Sequence, residues 1–206
     1  MYSAAELRAW RGAQREALVA ARLALSETTL GAWRVAMDAH IEQHFPQLAH
    51  AAVGFCWPFK NEYDSRFLIR RLRDRGAVAA LPVVVAPKTP LIFREWHPGV
   101  AMVEGVYGIP YPAASAEVMP TAVLLPMNGF DRQGYRLGYG GGFFDRTLAS
   151  LSVLNARPLV IGVTYELAAM ETIQPQDYDI PMDYVVTEQA VYRREASGLA
   201  KIEGVS

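Results

Sequence analysis

The chain has one cysteine, Cys56, which excludes an internal disulfide and a cysteine-rich metal site. Lysine is scarce: Lys60, Lys88 and Lys201 stand apart from one another. The formal net charge is −1, so no overall basic field favours nucleic acid or an anionic membrane. No uncharged apolar run reaches the roughly 18 residues that mark a membrane span. Residues 1–20 carry Glu6, Arg8, Arg11, Arg15 and Glu16, which leaves no apolar core for a signal peptide. His40, His44, His50 and His97 show no metal-ligand spacing with carboxylates or with Cys56. Internal repeats and low-complexity segments are absent too. The length of 206 residues suits one domain over 1–206, and these absences fit a cytoplasmic protein with no nucleic-acid and no membrane partner; a monomer or weak dimer is the expectation.

What is present is an ordinary globular composition, 51% hydrophobic and 20% charged. Leu7, Trp10, Leu18, Ala21 and Leu25 recur at helical spacing over 4–25, while Arg8, Arg11, Arg15 and Arg22 share another face. Ser26 caps a second helix that runs to about His44 and is closed by Pro46. The run 51–57, "AAVGFCW", reads as a buried strand. Residues 63–75 read as a helix capped by Asp64 or Ser65 and ended by Gly76. Further strands are expected at 77–86 (despite Pro82), 91–96, 122–127, 158–165 and 183–188, with a helix from about Gly142 to Leu154. Apolar strands alternating with helices predict an α/β fold: three layers, a mostly parallel sheet with helices on both faces. The stretch from Glu95 to Pro120 reads as a long irregular loop of the functional kind.

One segment stands out, "FDRQGYRLGYGGGFFDR" from Phe130 to Arg146. It holds five glycines, three arginines, two aspartates and five aromatics. It follows a strand and precedes a helix, the place where open α/β sheets bind ligands. Backbone N–H groups at a helix start attract anions, and glycine lets a phosphate come close. Arg132, Arg136 and Arg146 could clamp phosphate oxygens, and Asp145 could meet magnesium. Neither the Walker pattern nor the dinucleotide fingerprint fits, because Phe143 stands where a third glycine belongs. The glycines alone fit a ligand-free turn as well as a phosphate cradle.

That segment resembles the signature of the 5-formyltetrahydrofolate cyclo-ligase family, F-D-x-x-G-x-R-L-G-x-G-x-G-Y-Y-D. Other pieces are similar in order: the basic helix with Arg11 and Arg15, "CWPFKNEYD" with Glu62, and Trp96, Pro98, Gly99, Gly105, Tyr107, Gly108, Ile109 and Pro112. Asp183, before a short strand, completes the series. The resemblance implies a fold like the ribose-phosphate isomerases and CoA transferases. It implies conversion of 5-formyltetrahydrofolate, with or without a polyglutamate tail, to 5,10-methenyltetrahydrofolate, with ATP and Mg2+ as cofactors. It implies catalytic roles for Arg136 and Tyr139. Arg11, Arg15, Arg136, Leu137, Gly138, Tyr139, Gly140, Gly141, Gly142, Phe143 and Phe144 would line ATP. Trp57, Glu62, Tyr139 and Phe143 would meet the folate, and Asp145 and Asp183 would hold magnesium.

Several positions depart from the family pattern. Phe143-Phe144 replaces a tyrosine pair, Gly141 stands where lysine is frequent, and Gln14 replaces a leucine. The phenylalanines motivate one rival, a protein that binds folate without turning it over. A second rival is a sugar-phosphate isomerase or acyl-CoA transferase, for which the isolated lysines offer no catalytic constellation.

Overall fold

The computed structural model describes residues 2–202, so Met1 and residues 203–206 of the expected 1–206 domain lie outside the described span. The chain opens with two helices, α1 (Ala4–Leu23) and α2 (Glu27–His44), each started by a serine. Ser3 and Glu6 exchange backbone hydrogen bonds in a full capping box, and the Ser26 hydroxyl accepts from Thr29 N. Strand β1 (Ala52–Phe55) leads to α3 (Arg66–Asp74), then to β2 (Val78–Val83) and β3 (Ile92–Trp96). A small hairpin, β4 (Met102–Glu104) and β5 (Pro110–Pro112), interrupts the stretch read as irregular loop. Next come β6 (Ala122–Pro126), β7 (Gly129–Asp131), β8 (Arg136–Leu137) and α4 (Phe143–Val153). The chain continues with β9 (Leu159–Val163), β10 (Ala169–Met170), β11 (Tyr184–Val186), β12 (Val191–Glu195) and β13 (Gly198–Ile202).

The main sheet has eight strands in the order β13-β12-β11-β9-β6-β1-β2-β3. Its centre, β11-β9-β6-β1-β2, is parallel throughout. Antiparallel pairs flank it, β3 on one side and the β12-β13 hairpin on the other. The expected α/β class is therefore what forms, and the apolar runs of β1, β6 and β9 explain it, since each is buried on both faces. On one face α2 and α3 bury Met37, Ile41, Leu68, Ile69 and Leu72. On the other, α4 and β7 bury Leu148 and Phe130. Pro82 does sit inside a strand. Its register partner is Phe93 of β3, while the last β1–β2 pair is Gly54↔Ala80, so the missing N–H falls beyond the parallel ladder.

Two departures position the site. A second sheet, β10-β7-β8, folds the segment after β6 over the strand ends. Helix α1 is clamped to it closely: a Cβ on Gly129 would come within 2.8 Å of both Leu18 Cδ1 and Met170 Sδ.

Candidate active site

The site builds from the carboxyl ends of β1 and β6 and from α1, which lies across them. After β1 the chain turns back through Lys60 and Asn61, both left-handed at φ 49° and 58°. Such backbone is uncommon away from glycine and collects at functional sites. The turn delivers Glu62 into the interior, where it is only 8% exposed. Its Oε2 accepts from Phe59 N at 3.1 Å, and its Oε1 accepts from the Tyr139 hydroxyl at 3.0 Å. Burial pushes the Glu62 carboxyl above the usual carboxylate range, against the pull of the nearby Arg22 and the two hydrogen bonds. Tyr139 is pushed up as well, chiefly by burial and then by the Glu62 charge, so its phenol stays protonated and donates.

Arg22 is the residue that composition and motif left unremarked. It is 3% exposed, and its guanidinium reaches three segments. Nε donates to Lys60 O at 2.8 Å, Nη1 to Met127 O at 3.5 Å, and Nη2 to the Tyr139 hydroxyl at 3.0 Å. Nη2 also lies 3.9 Å from Glu62 Oε1. The signal was in the periodicity: position 22 falls on the same arginine face as 8, 11 and 15. Asn128, at the end of β6, escaped notice too. It is 2% exposed, and neither its side-chain oxygen nor its nitrogen has a partner among the described residues.

The glycine loop lies beside this cluster. Gly140 and Gly142 are left-handed, at φ 91° and 63°, and Gly142 starts α4 with no side-chain cap. The first-turn N–H groups of α4 are thus free of any capping side chain. Space beside Gly138 is open. Arg15 Nε donates to Gly138 O at 2.6 Å, and its guanidinium lies against Gly140. Arg146 folds over the other side, donating to Gly141 O at 2.5 Å and facing the Phe143 ring at 5.2 Å. Its Nε is buried with no partner among the described residues.

The remaining expected residues divide. Arg136 pairs with Asp145 at 2.9 Å and donates to Ile180 O, holding the loop base rather than standing open. Asp145 also accepts from Ile180 N. Arg11 is committed to Asp179 and to the carbonyls of Ile173 and Gln174. Leu137 and Phe144 turn inward, the first buried and the second packed on the α4-side core. Trp57 leans on Trp96 and carries the Arg66 guanidinium 4.6 Å above its ring. Asp183 is not gathered with Asp145. Both its oxygens are held by Arg157, and Val160 N donates to it at the amino end of β9. Among the described residues no group of three or more His, Cys, Asp or Glu side chains converges on a metal position. The Cys56 thiol, pushed up by burial and by Glu62, is poorly suited to a nucleophile's role.

Fold and site together define an α/β protein with a polar cluster at parallel strand ends, next to an uncapped glycine-rich helix start, the place where such sheets bind small molecules. Comparison with known proteins narrows this. Residues 7–188 match the 5-formyltetrahydrofolate cyclo-ligase family. The 5-formyltetrahydrofolate cyclo-ligase of Escherichia coli K12 is 31% identical over 151 residues, covering 70% of this chain and 81% of that one. The Mycolicibacterium smegmatis protein of the same name is 33% identical, covering 63% and 70%. The NMR structure of Aquifex aeolicus 5,10-methenyltetrahydrofolate synthetase superposes with a TM-score of 0.76 at 25% identity, covering 94% and 96%. The chain belongs to the 5-formyltetrahydrofolate cyclo-ligase family.

Proposed function

We propose that this protein converts 5-formyltetrahydrofolate to 5,10-methenyltetrahydrofolate at the expense of ATP. The observation that carries the reading is the adjacency of two unlike half-sites. One is the cluster of buried Glu62 and Arg22 with the more exposed Tyr139, and the other is the uncapped glycine loop joined to it through Tyr139.

Glu62 suits the pterin end of the folate. Its two oxygens can accept a pair of parallel N–H bonds once Tyr139 yields or shares its place. Phe143, half-buried beside the loop with Arg146 against its ring, offers its other face to the same molecule. The loop suits a polyphosphate. Free N–H groups, open space at Gly138, Arg15 and the unpartnered Nε of Arg146 are all donors or room for anionic oxygens.

Bound ATP supplies the phosphoryl group that makes the formyl oxygen a leaving group. N10 of the same folate then attacks the formyl carbon, the carbon–oxygen bond breaks, and phosphate carries that oxygen away. The protein's part is positioning and charge neutralisation. The two aspartates expected to hold magnesium are engaged in separate ion pairs, Asp145 with Arg136 and Asp183 with Arg157. Magnesium enters the proposal as the nucleotide's counter-ion, with Asp145 in the first turn of α4 beside the loop.

The test mixes protein, 5-formyltetrahydrofolate and Mg-ATP and follows methenyl absorbance in the near ultraviolet. ATP-dependent growth of product is expected. Folate binding without product would favour the non-catalytic reading instead.

A further inference from the structure

We propose that Arg22 is the positioning residue of this site, fixing Glu62 and Tyr139 in one geometry at the strand ends. This rests on the functional reading above, and it assigns a role to a residue outside the glycine signature.

The argument begins with connectivity. One guanidinium joins the turn after β1, the end of β6 and the glycine loop. Those three segments are otherwise joined by main chain, by the Tyr139–Glu62 bond and by the edge-on Phe59–Tyr139 ring contact. Arginine can do this because five N–H donors radiate from a rigid plane. A lysine has the charge but not the fork.

The second step is chemical. Tyr139 accepts from Arg22 and donates to Glu62, so the direction of that hydrogen-bond chain is set by the one group that can only donate. The left-handed turn Lys60–Asn61 is closed by Glu62 N on Phe59 O and Phe59 N on Glu62 Oε2, and the Arg22 bond to Lys60 O ties that turn to α1. Remove Arg22 and the turn, the carboxylate and the tyrosine all lose their common anchor.

The third step is electrostatic. The charged or titratable groups around Glu62 are Arg22 from α1, Tyr139 from the glycine loop, Cys56 at the end of β1 and Tyr165 after β9. Of these only Arg22 is a cation, and its charge is the largest of the influences that favour the ionised carboxyl against burial. An ionised Glu62 accepts two N–H bonds from a ligand, whereas a protonated one offers a competing O–H.

The experiment titrates carbon-13-labelled glutamate carboxyls by NMR in the wild type and in Arg22→Met, without substrate. The Glu62 midpoint in Arg22→Met is expected to rise by about one pH unit or more, as loss of a counter-charge at this range demands. The same shift is expected in the acid limb of kcat/KM. Arg22→Lys is expected to keep the limb near its wild-type place while KM rises severalfold. In a Glu62→Gln background, Arg22→Met is expected to leave the limb unmoved. A Glu62 midpoint unchanged in folded Arg22→Met overturns the proposal. If that variant does not fold, an unchanged KM in Arg22→Lys overturns it. Absence of turnover in the wild type would sink the functional reading alone, because the NMR titration needs no product.

Discussion

At the residue scale, the hydrogen bond between Tyr139 and Glu62 is the contact to which the proposed function assigns substrate recognition. Glu62→Gln keeps the shape but removes the charge that accepts a ligand's N–H pair. Its kcat/KM is expected to fall about 10- to 100-fold, the range for a lost hydrogen bond to a charged group. Tyr139→Phe removes the hydroxyl shared by Arg22 and Glu62. It is expected to cost about tenfold in kcat/KM, with little change in thermal midpoint, because the ring is 45% exposed. Much of this was legible in sequence: Glu62, Tyr139 and Arg15 do converge on one place. Arg11, Arg136 and Asp183 were named on the same grounds, yet the structure places them in ion pairs with Asp179, Asp145 and Arg157. A motif carries residue type and spacing; it does not carry the partner that a side chain finds across the fold. Arg22 shows the converse, since its three contacts lie 38, 105 and 117 residues away.

At the scale of elements, apolar runs and caps predicted most of what forms. The central parallel strands follow from burial on both faces, and α1 and α2 from their serine caps. The short strands did not, because β7, β8 and β10 are two or three residues long and exist only through one another. The β12-β13 hairpin escaped for another reason: β12, "VYRRE", is charged and mostly exposed although it pairs with β11 on one side and β13 on the other, so it carries no apolar run. Close packing at the sheet centre gives a sharp prediction. A Cβ on Gly54 in β1 would lie 2.7 Å from the Phe93 ring. Gly54→Ala is expected to destabilise by about 1–3 kcal/mol, the usual cost of overpacking a core, read as a lower urea midpoint at unchanged slope.

For the whole molecule, the buried carboxyl links stability to pH. Glu62 titrates higher in the folded state than in the unfolded chain, so it binds protons more tightly when folded. Its contribution is fully present below the ordinary carboxylate range and is lost as pH rises through the raised folded value. Wild type is therefore expected to lose stability relative to Glu62→Gln as pH rises across that interval, measured as paired thermal midpoints. The same placement organises the function proposed for the molecule. Parallel strands bring Glu62 and the glycine loop to one edge, and α1 spans that edge with Arg15 on one half-site and Arg22 on the other. Quantifying methenyl product and ADP together in a single reaction tests this most directly. The account predicts one ADP released for each methenyltetrahydrofolate formed, and neither without the other. Product formed without ADP, or folded protein that yields neither, would contradict it.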